Sequence, residues 1–295
     1  MPFLRERSGE WSVIKIIAIT VAVLPALWIV AQAATGSLGA RPVTEAIHQC
    51  GDWALRFLFI TLAVTPAQRI LRYPRLALAR RTLGVTCACY AGLHFSLYIL
   101  DQHFQLLKVA SEIALRIYLT IGFLCLTGLL TLAVTSTDAA VRRLGAARWR
   151  ALHRLVYLIA PLATAHFFMQ SKLDEYQPML MAGFLLWLLA YRVLWKRTGE
   201  VAPGVLLTLA CVVAVTTGLL EALFYRLTTG VDARLILLAH VDPEMEIRPA
   251  WWVLAAGLLI AILGAWRYRP RHQRESARRI TPAALSGATQ VQSGS

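Results

Sequence analysis

The sequence predicts an all-α protein, a polytopic bundle of transmembrane helices, from three observations. Of its 295 residues, 58% are hydrophobic and 16% charged, with a mean hydropathy of +0.58; a soluble domain has roughly 45–50% and about 25%. The apolar residues gather into runs free of Asp, Glu, Lys and Arg, comparable to the roughly 20 residues that a helix needs to cross a bilayer. The cations fall in alternate connections between these runs. Strands are not expected, because open sheet edges cannot be satisfied in lipid. The 18 glycines and 12 prolines follow no period, which excludes collagenous and low-complexity chains.

Taken in order, the first run is 16–40, too long and too poorly ended to be a cleaved signal peptide, and no Arg-Arg pair precedes it. The second, 57–68, is weaker and becomes a span when extended over flanking residues such as Trp53. The third is 82–100, the fourth 117–137 and the fifth 155–171. The sixth, 177–191, again needs flanking residues such as Trp195. Lys196-Arg197-Thr198-Gly199-Glu200 then forms a soft boundary, giving a six-helix unit over 1–200. Runs 201–220 and 250–266 add a two-helix extension over 201–268. The basic, Ser/Gly/Gln-rich tail 269–295 reads as disordered and cytoplasmic. No internal repeat of 20 to 50 residues is visible.

The formal charge of +14 could suggest nucleic acid, so the positions of the cations decide. They cluster at Arg5, Arg7 and Lys15; at Arg69, Arg72, Arg75, Arg80 and Arg81; at Arg142, Arg143, Arg148 and Arg150; at Lys196 and Arg197; and over 267–279. The intervening connections hold acids such as Asp101, Asp174, Glu175, Asp242, Glu244 and Glu246. By the positive-inside rule both termini are cytoplasmic, which requires an even number of spans. The basicity therefore records topology and contact with membrane lipids, with no nucleic acid as partner. The five cysteines (50, 87, 89, 125 and 211) include no C-x-x-C pair and read as small apolar residues.

An ionisable side chain inside a membrane is by default a candidate functional group. His94 lies roughly 18 Å along its helix from Thr82, and His166 roughly 22 Å from Ala151 along a helix running the same way. Hydrogen bonding to a neighbouring helix would explain either histidine alone. Two imidazoles at one depth on separate helices, however, are what six-coordinate heme iron needs. His153 stands roughly 20 Å below His166, and on an ideal helix the two rings point about 140° apart unless Pro161 bends or unwinds the intervening turn. His153 is read as a hydrogen-bonding group at a flavin or quinone site, or as a ligand in an alternative heme geometry. His48, His103, His240 and His272 read as solvated surface residues, and Glu221 as close enough to the outer end of its span to meet the headgroups.

The ordered set Gly39-Ala40-Arg41-Pro42-Val43, Thr65-Pro66 with Arg69, Arg80-Arg81-Thr82-Leu83-Gly84, Leu93-His94 with Tyr98, 116–122 (RIYLTIG), 132–136 (LAVTS), and Trp149 with Leu152-His153, Tyr157 and His166 resembles the MsrQ family. These are heme-binding membrane subunits of the bacterial periplasmic methionine sulfoxide reductase system, within the ferric-reductase-like transmembrane superfamily. The resemblance covers roughly 10–197. It implies a multi-pass protein of the bacterial inner membrane that binds heme b through histidines matching His94, His153 and His166, with FMN also expected. His94 and His166 carry over as the heme-iron ligands, while the role of His153 stays open.

The resemblance further implies an electron-transfer subunit rather than a catalytic one. Electrons from a cytoplasmic flavin reductase or from quinol would reach a periplasmic molybdopterin-containing methionine sulfoxide reductase catalytic subunit. Arg80, Arg81, Arg142 and Arg143 could meet heme propionates or the FMN phosphate, since guanidinium pairs with such anions in two-pronged fashion; they serve equally well as topology signals and headgroup contacts. Two other functions remain open at this point: a ferric or quinone reductase of the same superfamily, and a heme-free transporter or assembly protein. No G-x-G-x-x-G turn follows Trp266, so the chain is expected to borrow its reductant. The 201–268 extension departs from the family's six helices; it reads as helix packing or as a docking surface for the partner.

Overall fold

A computed structural model of the chain describes residues 11–171, 175–242 and 244–268. Among them the regular structure is helical. In chain order the helices are α1 (Val13–Ala34), α2 (Pro42–Ile70), a short 3₁₀ turn (Pro74–Leu78), α3 (Ala79–Asp101), α4 (Leu106–Leu115), α5 (Ile117–Val134), α6 (Asp138–Leu144), α7 (Ala146–His153), α8 (Val156–Ser171), α9 (Tyr176–Thr198), α10 (Pro203–Thr228), α11 (Ala233–Ala239) and α12 (Pro249–Arg267). Arg5, Arg7, Asp174, Pro243, His272 and the tail 269–295 lie outside the described residues.

Local chemistry sets the ends. α2, α10 and α12 each begin on proline, whose missing N–H would have had no helical partner there. The first helix stops at Ala34, short of the apolar run's end at 40, because Thr35 turns its Oγ1 back onto the Ala31 carbonyl (2.9 Å) and Gly36 goes left-handed. α10 runs past the expected end at 220 to Thr228.

Among the described residues, seven helical segments are long and apolar enough to cross a membrane: α1, the 3₁₀ turn with α3, α5, α7 with α8, α9, α10 and α12. The remaining expected span is the core of α2, whose flanks carry Asp52, Arg56 and Arg69 and are less apolar. α2 nonetheless runs antiparallel to α3 along its whole length. Gly51 abuts His94, the Phe57 and Tyr90 rings lie 5.3 Å apart, and Gly84 faces Thr61. α2 therefore traverses the same thickness as α3. α5 and α8 form a second antiparallel hairpin, from Tyr118 opposite His166, through Gly128 against Ile159, to Thr135 opposite His153. Below, the end at which α3 and α8 finish is the upper end, and that at which α2 and α5 finish is the lower.

Residues 151–171 do not form one helix. Arg154 and Leu155 separate α7 from α8, and the N–H groups of Arg154, Leu155, Tyr157 and Leu158 bond three residues back instead of four. Pro161 explains this: its ring crowds the carbonyl four residues earlier and offers it no N–H, so the preceding turn tightens. His153 and His166 thus sit on separate helical segments.

The buried core is continuous from Phe57 and Leu58 on α2, through Trp187 and Tyr191 on α9, to Leu206 and Val213 on α10 and Val253 on α12. α12 packs tightly on α10: a Cβ added at Gly257 would come within 2.6 Å of the Ala210 Cβ. The upper end of this extension corrects two expectations. Glu221 does not reach headgroups and His240 is not solvated. Glu221 is 3% exposed; its Oε1 lies 3.2 Å from Arg248 Nη1 and its Oε2 3.4 Å from His240 Nε2. The His240 Nδ1 donates to the Ile236 carbonyl, and Trp251 Nε1 to the His240 carbonyl. A buried carboxylate is tolerable only when paired, so α11 and the start of α12 fold back to meet it. Glu221→Ala would remove the buried carboxylate that Arg248 and His240 share, at a cost of about 3–5 kcal/mol. The expected result is a markedly lower melting temperature for the purified protein, and unchanged melting would contradict the pin.

Candidate functional site

His94 and His166 come together in the upper half of the bundle. Their ring centroids are 6.4 Å apart and their planes nearly perpendicular, at 87°. Each imidazole is oriented by the helix that descends beside its own. The His94 Nδ1 lies 2.8 Å from the Ile47 carbonyl on α2, and the His166 Nδ1 lies 2.8 Å from the Tyr118 carbonyl on α5. A carbonyl can only accept, so each Nδ1 carries the proton and donates. The Nε2 lone pair of each ring is left available, and among the described residues neither Nε2 has a hydrogen-bond partner. Such fixing of the tautomer through the second ring nitrogen is the usual outer support of a metal-ligating histidine.

Each ring also lies flat against a glycine four residues beyond its carbonyl. A Cβ at Gly51 would stand 3.0 Å from the His94 Nδ1, and one at Gly122 would stand 2.7 Å from the His166 Cε1. Any larger residue would fill the slot that the ring occupies. The two hairpins are thus copies of one design: a descending helix supplies a carbonyl and then a glycine, and an ascending helix supplies the histidine. The equivalent positions differ by 71 or 72 residues (47 to 118, 51 to 122, 94 to 166). The carbonyls and glycines were not singled out for a role from sequence; their only trace there is this matched spacing.

The donor set suits a six-coordinate iron. Two metal–imidazole bonds of about 2 Å each, with the ring radii added, would separate the centroids by about 6 Å, close to the observed 6.4 Å. Two neutral imidazoles are also a known axial pair for iron held in a porphyrin, and a helix bundle is a common host.

The other candidates stand at the lower end. His153 is not brought to the pair: it is held at the far end of α5, roughly 20 Å along the axis from Gly122. Its ring stacks on Trp149 at 3.9 Å, its Nε2 is 3.2 Å from Thr135 Oγ1, and Trp149 Nε1 donates to the Thr135 carbonyl at 2.8 Å. Trp149 and His153 together clamp Thr135, the residue that caps α5. Arg80 is exposed and sits within electrostatic range of Arg69, Arg192 and Tyr157. Arg81 is 2.6 Å from Asp138 at the start of α6, an exposed pair worth little to stability. Arg192 is held inward, donating to the Leu62 and Leu188 carbonyls. Arg142 and Arg143 close the exposed last turn of α6. His48 and His103 are exposed, as expected.

Comparison with known proteins places the chain among relatives. Residues 50–164 match a family described as "Ferric reductase like transmembrane component"; the match includes His94, His153, Arg80, Arg81, Arg142 and Arg143, and ends just before His166. The protein-methionine-sulfoxide reductase heme-binding subunit MsrQ of Caulobacter vibrioides is 41% identical over 173 residues, which cover 58% of this chain and 82% of that protein. The protein of the same name from Rhodospirillum rubrum is 42% identical over 191 residues, covering 64% of this chain and 89% of the relative. That from Deinococcus radiodurans is 43% identical over 157 residues, covering 53% and 78%. No solved structure matches the chain significantly.

Proposed function

Given that this chain belongs to the MsrQ family of heme-binding subunits of protein-methionine-sulfoxide reductase, we propose that it carries electrons across the inner membrane to a periplasmic molybdopterin-containing methionine sulfoxide reductase. The observation that carries this reading is the His94–His166 pair: two imidazoles from separate helices, 6.4 Å apart, each tied through Nδ1 to a backbone carbonyl. Heme b bound between them would supply one-electron redox chemistry. The chain's own contribution is to fix both ligand tautomers, keep the pair in an apolar interior, and set its depth toward the upper end. The arginine-rich lower end is cytoplasmic on this reading, in keeping with the positive-inside rule, and both termini are on that side.

Electrons enter from below, from a cytoplasmic flavin reductase or from quinol. Arg80 and Arg81, with Arg192 close by, suit the phosphate of FMN; at roughly 20 Å below His94 along α3 they lie beyond the propionates of a heme held there. His153 supports this entry side by holding α7 to the end of α5. His153→Ala is therefore expected to retain nearly full heme while slowing reduction by a cytoplasmic donor at least several-fold. Heme loss equal to that of His94→Ala would show that His153 is itself a ligand.

The test of the whole reading is reoxidation. Dithionite-reduced protein should show the split α-band of b-type heme. It should reoxidise when methionine sulfoxide and the molybdopterin subunit are both present, and not with methionine sulfoxide alone. Reoxidation by ferric or quinone acceptors while the molybdopterin subunit has no effect would favour a reductase of the wider superfamily. A spectrum without heme would sink both.

A further inference from the structure

At the lower end, where the six-helix unit meets the extension, a cavity of about 210 Å³ opens between α2, α9, α10 and α12. Arg69 lines it, its guanidinium lying 4.3 Å over the Trp195 ring. Among the described residues no carboxylate pairs with Arg69. Arg72 lines it too, with its Nη2 3.3 Å from Glu200 Oε1 and its guanidinium 5.4 Å over the Tyr268 ring. Among the described lining residues Glu200 is the carboxylate and it pairs with Arg72, so the charge that these residues carry is net positive.

Two further observations point to a ligand. Tyr191 is fully buried, lines the cavity, and among the described residues its hydroxyl has no hydrogen-bond partner. A phenol O–H left unpaired in a bundle interior is costly unless something accepts from it. Arg72, for its part, occupies the position just after the cap of α2 with φ +51, and Tyr73 N bonds back to the Gln68 carbonyl at 3.0 Å. Helices that close in this way usually place glycine there, because the left-handed conformation is strained for other residues. Here the chain accepts the strain and aims a guanidinium at the cavity.

We propose that this cavity is a binding site for a phosphate oxyanion, held two-pronged by Arg69, assisted by Arg72, and receiving a hydrogen bond from Tyr191. Guanidinium matches phosphate geometry, and aromatic stacking on Trp195 and Tyr268 keeps both arginines preorganised. A basic pocket between transmembrane helices at the membrane surface suits the headgroup of an anionic phospholipid, and free phosphate offers the same chemistry. Because Tyr268 comes from the extension, the two added helices complete the site. It is separate from the histidine pair and does not depend on electron transfer.

The experiment uses the heme-loaded full chain in an uncharged detergent. Melting temperature and native mass spectra are recorded with phosphatidylglycerol, with phosphatidylcholine and with inorganic phosphate. Phosphatidylglycerol is expected to stay bound and raise the melting temperature, whereas phosphatidylcholine does neither. Affinity should fall about tenfold in Arg69→Gln and several-fold in Tyr191→Phe. Both variants should keep the wild-type heme spectrum, which shows that they fold and that the redox site is untouched. Stabilisation by inorganic phosphate instead, with the same loss in the variants, would identify a soluble source. The proposal is overturned if neither probe affects the wild type, or if both variants respond as the wild type does. Should Arg69→Gln fail to fold, Tyr191→Phe alone decides by the same measurement.

Discussion

His94→Ala and His166→Ala should each strip the purified protein of most of its heme, lowering the pyridine hemochrome count per chain at least about tenfold, since loss of even an outer-shell support of a metal ligand costs 10–100-fold. The two variants should be equally severe, because the rings hold equivalent places in the two hairpins. Alanine at either position also leaves the descending helix's glycine facing an empty slot. His48→Ala is the control: its side chain is exposed, and it should retain full heme. Full retention in either His94→Ala or His166→Ala would refute the ligand pair.

The second large effect comes from a single added methyl group. Gly122→Ala places a Cβ 2.7 Å from the His166 Cε1, 3.0 Å from Nδ1 and 3.2 Å from Nε2. These distances are too short to keep, so the ring must swing away and give up its bond to the Tyr118 carbonyl. Gly51→Ala is milder, with nearest approaches of 3.0 and 3.1 Å to His94. In an ordinary helix interior the same change would stabilise by about 1 kcal/mol. Helical stability and heme affinity should therefore move in opposite directions. Titration of the heme-depleted variants is expected to show at least about a tenfold loss for Gly122→Ala and a smaller loss for Gly51→Ala. Wild-type affinity in Gly122→Ala would mean that the slot does not form as described.

Most of the architecture was legible because a bilayer imposes one simple length rule on apolar runs. The exceptions are instructive. The α2 run looked short because charges stand within its span, where Asp52 and Arg56 pair with each other one turn apart. The turn at Arg154 follows from Pro161, but whether a membrane proline bends or unwinds its helix depends on packing. His240 and Glu221 were misjudged because each looks exposed in isolation; only the fold-back of α11 brings them together. At the site, the shared depth of His94 and His166 could be read from helix rise alone. The carbonyls of Ile47 and Tyr118 could not, since every residue carries one and no side chain advertises it.

The paired backbone props have a bearing on speed. A group that gains and loses charge thousands of times works best when nothing around it has to rearrange, and dipoles locked into a helix ladder cannot swing as a free side chain or a water can. With one such prop on each imidazole, both oxidation levels of a group held between them would share a single set of atomic positions, and the energy otherwise lost to jostling between them would stay small.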